Sequence, residues 1–212
     1  GPPRLFSGVS AGAMDSMVNH YTANLRLRHD DAYTPGGKAG FRPDHAVTVY
    51  TRILKRLYPH VPVVVGGIEA SLRRLTHYDY WSDRLKPSVL VESGADLLIY
   101  GMGERVIQQV ARPMRNGYNA KLLRKIRQVA FLADEGYVAR LDPERTIRLH
   151  PFEECLHDKR AFGENFTVIE TPSNLMEPEA TLVEPVGGQS VVVTPPTTAR
   201  PTEEPDHSFA PP

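Results

Sequence analysis

The hydrophobic positions of this chain switch between short continuous apolar runs and helical stripes. Leu5-Phe6-Ser7-Gly8-Val9 is a run of the first kind. It is closed by Ser10-Ala11-Gly12 and predicts a buried strand followed by a turn. Met14, Met17, Val18 and Tyr21 then fall at i, i+3, i+4 and i+7, one face of a helix, with Asp15 near its start where the helix dipole favours an acid. Arg26 to Phe41 holds Arg28-His29-Asp30-Asp31 and Thr34-Pro35-Gly36-Gly37, which predicts a long loop. Loops of that length inside a compact domain are often functional.

Pro43-Asp44 opens a second helix, with Ala46, Tyr50, Ile53 and Leu57 on one face and Tyr58-Pro59 at its end. Val61-Pro62-Val63-Val64-Val65 is β-branched and predicts a strand covered on both faces, with Pro62 tolerated at its beginning. Lys86-Pro87 opens a short helix through Val91. Asp96-Leu97-Leu98-Ile99-Tyr100 predicts another buried strand. It runs through Gly101-Met102-Gly103-Glu104 into a helix with Val106, Ile107, Val110 and Met114 inward.

This alternation of strands and helices predicts an α/β fold, a partial doubly wound parallel sheet of Rossmann-like type over residues 1–116, expected to be missing its first strands. In such sheets ligands sit outside the carboxyl ends of the strands. Three loops would collect there: Ser10-Ala11-Gly12, Gly66 to Ser71, and Gly101 to Glu104. Past residue 116 the pattern changes to an α+β appendage, residues 117–193. Val129-Ala130-Phe131-Leu132 and Tyr137-Val138-Ala139 flank Asp134-Glu135-Gly136, a hairpin signal. Phe152, Leu156, Phe162, Phe166 and Ile169 predict an amphipathic helix that Gly163 weakens. Thr181-Leu182-Val183 and Val191-Val192-Val193 flank Gly187-Gly188, a second hairpin. Residues 194–212 are rich in Pro, Thr and Glu and predict a disordered linker. The chain starts at Gly1 and ends in that tail, so it reads as a fragment of something larger.

Composition narrows the function classes. Lys+Arg and Asp+Glu are 25 each, so no net charge draws the chain to nucleic acid or an anionic membrane. No apolar run approaches the ~20 residues of a membrane span. The first residues show no signal peptide. Cys155 is the single cysteine, which excludes an internal disulfide, a four-cysteine zinc site and a self-contained iron–sulfur cluster. A cytoplasmic protein fits these features.

Candidate chemistry is sparse. Gly66-Gly67 gives the backbone freedom to turn sharply and lets a ligand approach the main chain. A tight strand-to-helix turn without ligand explains the pair equally well. No G-x-x-x-x-G-K-[ST] is present, and Gly101-x-Gly103 lacks a third glycine at Rossmann spacing. His77-Tyr78-Asp79-Tyr80-Trp81-Ser82-Asp83 places hydrogen-bonding groups on aromatic surface, as pockets and interfaces do. The competing reading is a loop clipped to its own scaffold by Arg73, Arg74 and these acids. His29, Asp30 and Asp31 have the atoms for a metal or a proton shuttle. No H-E-x-x-H or Cys/His ladder accompanies them, and a loop tied by Arg26, Arg28 and the aspartates is the simpler reading. Ser10 and Ser71 have no identifiable base, and Cys155 sits among apolar positions as an inert thiol would.

Several blocks together carry a resemblance. They are Phe6 to Met17, Arg26 to Pro35, Gly66 to Arg74, His77 to Asp83 and Tyr100 to Arg105, in that order, with a weaker echo at Phe152-Glu153-Glu154-Cys155 and Asp158 to Phe162. They resemble the YgiQ-type radical SAM proteins. The resemblance implies an N-terminal accessory domain similar to the cobalamin-binding-type α/β domains of other radical SAM proteins. A radical SAM barrel of the same parent would follow, carrying a [4Fe–4S] cluster on C-x-x-x-C-x-x-C and binding S-adenosylmethionine. That motif is absent here, so cluster and S-adenosylmethionine are expected in the parent and no cofactor in this chain. The D-x-H-x-x-G histidine of the cobalamin-binding domains has no match, which argues against cobalamin. On this reading Gly66, Gly67, Glu69 and Ser71 shape the crevice, and Gly101, Gly103 and Glu104 close its other edge. His77, Tyr78, Tyr80, Trp81 and Asp83 meet the barrel or an unidentified substrate. The alternative is a stand-alone binding module for a small polar or phosphorylated ligand.

Overall fold

The structure is a computed structural model and describes residues 1–115, 117, 120–173 and 179–197. Of the linker predicted over 194–212, residues 198–212 lie outside the described residues, while Thr194 is buried and accepts the Val129 amide and Pro195 accepts the Gln128 amide, so the packed part runs past residue 193. The fold is α/β. Seven strands form one mixed sheet: β1 (Ser7–Val9), β2 (Val63–Val65), β5 (Leu97–Ile99), β6 (Val129–Ala133), β9 (Gln189–Val193), β8 (Thr181–Val186) and β7 (Thr146–Arg148), in that spatial order. β1, β2 and β5 are mutually parallel, in the register Ser7↔Val63 and Val64↔Leu97. This is the Rossmann-like part. From β5 onward the sheet is mixed: β5–β6, β6–β9 and β9–β8 are antiparallel and β8–β7 is parallel. The strands of the α+β second half thus continue the sheet that the first half begins.

The apolar runs end up where their patterning dictates. Val63, Val64 and Val65 are all buried, and so are Leu97, Leu98 and Ile99, because helices cover both faces of the sheet there. On the first face α2 (Ala46–Leu57), α3 (Gly67–Leu72) and α4 (Val89–Ser93) bring Val47, Ala70 and Leu90 onto Val9, Val65 and Leu98. On the second face α5 (Glu104–Met114), α6 (Ala120–Leu123) and α7 (Glu135–Val138) bring Val106, Val110, Leu123 and Val138 onto Val64, Leu97 and Phe131. Cys155 closes α8 (Phe152–Cys155), and α9 (Lys159–Ser173) follows it. Among the described residues no helix is long and apolar enough to cross a membrane.

Four expectations need correcting. The helix after β1 is α1 (Ser16–His20), capped by Asp15, whose carboxylate accepts from the Met17 and Val18 amides at 2.8 and 3.3 Å. It buries Ser16, Met17, Asn19 and His20 and leaves Met14 and Val18 outside. Its inner face is largely polar, so apolar spacing finds it only in part, through Met17. In α2 Ala46 is buried and Tyr50 packs on the core as expected, but Val47, Thr48 and Thr51 are also inside while Ile53 and Leu57 are exposed. Asp134-Glu135-Gly136 is not a hairpin turn. Asp134 caps α7 by accepting from the Tyr137 amide at 2.7 Å, with Glu135 in the first turn where the dipole favours it. The stretch from Phe152 to Ile169 is two helices, broken between Leu156 and Asp158. The Gly187-Gly188 hairpin does form, as β8–β9.

Gly67 shows what one turn requires. It stands at φ +81°, and a Cβ there would lie 2.6 Å from the Ser10 hydroxyl. Gly67→Ala is therefore expected to cost about 1–2 kcal/mol, mostly backbone strain. Chemical denaturation measures it, and an unchanged midpoint would contradict the tight turn.

Candidate functional site: a cleft at the strand ends

β1, β2 and β5 all point their carboxyl ends the same way, so the loops that leave them meet. Between them lies a cleft of about 410 Å³. Gly66, Gly67, Gly101, Gly103 and Glu104 line it, together with Ser10, Gly8, Val64, Ile99 and Ile107. Five of the residues named from the sequence are thus brought together. Gly8 and Ile107 were missed: the first reads as an interrupted strand, the second as core. Strand alternation would have found Gly8, since it shares its face with Phe6.

Ser71 does not line the cleft but fixes its shape. Its hydroxyl donates to the Gly67 carbonyl at 2.7 Å and accepts from the Gly101 amide at 3.0 Å, which ties the two glycine turns together. Glu69 lies beneath, 1% exposed. One carboxylate oxygen accepts from the Ser16 amide at 2.8 Å and the other from the Val47 amide at 2.9 Å. The Ser16 hydroxyl accepts in turn from the Ala46 amide at 3.1 Å. Ser16 at the start of α1, and Ala46 and Val47 at the start of α2, therefore find their acceptors on other elements. This suits α2, whose own N-cap, His45, is left-handed at φ 50° and makes no side-chain cap. Arg73, paired with Asp15, brings a guanidinium nitrogen 4.0 Å from Glu69.

The polar and aromatic run is a second, two-stranded sheet, β3 (His77–Asp79) against β4 (Arg84–Lys86). Tyr78 donates to Asp83 at 2.5 Å across its turn, where Asp83 is left-handed at φ 52°. Tyr80 donates to the Ala23 carbonyl at 2.8 Å and packs edge-to-face on Trp81. Burial opposes ionisation of Asp79, but the Ser82 hydroxyl and Lys86, 3.3 Å away, outweigh it and lower its pKa. Lys86 and His45 hold this hairpin, whereas Arg73 turns to Asp15 and Arg74 to the Ser71 carbonyl. His77 and Tyr78 face a separate cavity of about 350 Å³ walled by Phe162, Phe166 and Ile169. Burial pushes the His77 imidazole down to about 4, so it is neutral at pH 7, with Nδ1 on the Leu75 carbonyl at 3.1 Å.

His29 and Asp30 border a shallow groove with Met14, Val18 and Leu27. Asp31 is apart from them and fully buried. Burial works against its charge, yet Arg42 at 2.8 Å, the Tyr33 amide at 2.9 Å and Asn19 at 2.8 Å hold the carboxyl down at about 2. Arg42 also donates to the Ala11 carbonyl at 2.9 Å, fastening the long loop to the end of β1. The loop is tied by Arg42 rather than Arg26, and Arg28 serves backbone carbonyls.

The cleft has the shape to bind and orient a ligand. Among the described residues the Ser10 hydroxyl is engaged with the backbone of Gly12. Glu104 is the one ionisable side chain in the described lining. Among the described residues no three metal-ligating side chains gather. The residues present do not fit an iron–sulfur cluster, which needs several thiolates. Cys155 is 2% exposed, and burial pushes its thiol up to about 11. It should resist thiol reagents at pH 8 in the folded protein and react fully in denaturant. Labelling within minutes before unfolding would contradict this.

The geometry defines an α/β domain with a cleft at the ends of its parallel strands. The family described as Radical SAM N-terminal matches residues 1–212, and the chain belongs to that family. A UPF0313 protein of Porphyromonas gingivalis is 54% identical over 209 residues, covering 99% of this chain and 33% of the relative. A UPF0313 protein of Bacteroides thetaiotaomicron is 49% identical over 222 residues, covering 99% of this chain and 35% of the relative. One from Geobacter sulfurreducens is 47% identical over 206 residues, 96% of this chain and 33% of the relative. The chain spans about a third of the length of these curated relatives. No solved structure matches.

Proposed function

We propose that this chain is the accessory, substrate-side domain of a radical SAM enzyme and performs no bond chemistry by itself. The observation that carries the reading is the cleft: three glycine-bearing turns at the carboxyl ends of parallel strands, where α/β folds hold ligands. Family membership supports the enzyme class, and the lone buried thiol supports placing the [4Fe–4S] cluster and S-adenosylmethionine in another part of the same protein. The cleft offers backbone groups, apolar wall and one acid, which suits a small polar substrate rather than a nucleic acid. The His77–Asp83 hairpin, with half-exposed Tyr78 and Tyr80, is the surface offered to the catalytic barrel. A reducing, cytoplasmic setting fits such a protein.

Filling the cleft tests this in the complete gene product. Ile107→Trp is expected to keep cluster content and unstimulated S-adenosylmethionine cleavage within about twofold. Stimulation of that cleavage by a small-molecule extract of the source cells should fall at least about tenfold, as expected when a bulky side chain blocks a shaped pocket. Unchanged stimulation would remove the substrate-side assignment.

A further inference from the structure

The cavity beside His77 and Tyr78 is separate from the strand-end cleft: among the described residues none lines both. Its walls come from the end of α3, from β3 and from α9. Phe162 and Ile169 make its inner wall apolar, and Leu72, Tyr78 and Phe166 are exposed at its mouth. Two charged residues complete the lining, Arg74 and Glu170.

Arg74 is the unusual one. It is largely withdrawn from water, and burial pulls its pKa below the usual arginine value, yet a guanidinium stays charged at pH 7. Its Nη1 donates to the Ser71 carbonyl at 2.8 Å, and its carbon centre lies 5.2 Å from the centre of the Tyr100 ring. Its Nε is buried and has no hydrogen-bond partner among the described residues. Arg42 and Arg73, equally sheltered, each pair with an aspartate, Asp31 and Asp15. Arg74 has no such partner among the described residues, and the exposed Glu170 attracts it only from farther off. A sheltered cation without an anion is unfavourable, and a bound carboxylate supplies one through charge-assisted hydrogen bonds.

His77 limits the charge of the ligand. Its Nδ1 faces the Leu75 carbonyl, which can only accept, so the proton is on Nδ1 and Nε2 carries a lone pair. Burial keeps the ring neutral at pH 7. Arg74 is then the one positive group in the described lining, with Glu170 as a repelling acid, which suits a single negative charge better than the near-double charge of a phosphate. We propose that this cavity binds a monocarboxylate with an apolar body, its carboxylate on Arg74 and its body against Phe162, Phe166 and Ile169. The site goes beyond the strand-end cleft and does not depend on the function proposed for it. Arg74 meets the cleft only through Ser71, whose hydroxyl ties the two glycine turns.

Calorimetric titration of the complete gene product with octanoate, octylamine and octanol tests this. Octanoate is expected to bind with a Kd of about 100 μM or tighter, and at least about tenfold more tightly than the other two. Arg74→Gln should weaken octanoate at least about tenfold. Leu72→Trp, at an exposed position, should do the same by closing the mouth, and it decides the matter if Arg74→Gln misfolds. Ile107→Trp, which fills the strand-end cleft, should leave octanoate affinity within about twofold. Octylamine or octanol binding as tightly as octanoate overturns the proposal, as does unchanged octanoate affinity in either variant once folded. No octanoate binding, as when another part of the protein fills the cavity, overturns it too. Loss of binding in Ile107→Trp would place octanoate in the cleft and has the same consequence.

Discussion

Glu69→Ala is expected to destabilise the fold by about 3–5 kcal/mol, enough to unfold a domain of ordinary stability. The carboxylate is buried, and its two oxygens accept the first amide of α1 and the second amide of α2. Alanine would leave both donors in the interior with no acceptor, at about 1–3 kcal/mol each. It would also take a carboxylate from beside Arg73, leaving that guanidinium with Asp15 alone of its two buried acids. Glu69→Gln keeps one acceptor oxygen and turns an NH2 toward the other amide, so about half that loss is expected. Urea denaturation measures both. A loss below about 1 kcal/mol for the alanine variant would show that the helix starts do not depend on this group.

Glu184→Gln should change how stability depends on pH. Glu184 on β8 is 1% exposed and accepts the Thr76 amide with both oxygens, at 3.2 and 2.9 Å. Burial pushes its carboxyl up from 4.5 to about 7. Between those two values the folded chain keeps a proton that the unfolded chain has released. Unfolding then releases a proton, so stability falls as pH rises through the window and levels off above it. The expected loss is about 2–3 kcal/mol between pH 4.5 and 8. Glutamine accepts the same bond without a charge, so the variant should match the wild type near pH 4.5 and exceed it by that amount at pH 8. Parallel stability curves would contradict the assignment.

Both residues lie in the part of the structure that the sequence conceals. The parallel strands and α5 are legible because their side chains are apolar and meet apolar neighbours. The strand-end cleft is legible for the same reason, since locating the strands locates their ends. The inner faces of α1 and α2 are not, because Ser16, Asn19, His20, Thr48 and Thr51 are buried there and hydropathy places such residues outside. The β3–β4 hairpin carries no apolar alternation and is held by Asp79 with Lys86 and His45, a pairing between distant positions that no local pattern reveals. In the sequence Glu69 is placed among the residues that shape the crevice, not as a buried acceptor for two helices. Only the approach of α1 and α2 makes it an acceptor.

In the proposed function the chain shapes a binding site while the reactive cluster is held elsewhere in the same protein. Iron content and S-adenosylmethionine cleavage of the complete gene product, reconstituted without oxygen and compared with its Cys155→Ala variant, test this most directly. A [4Fe–4S] cluster and cleavage are expected in both, at equal levels. No cluster in the complete protein, or its loss on replacing Cys155, would overturn the proposal.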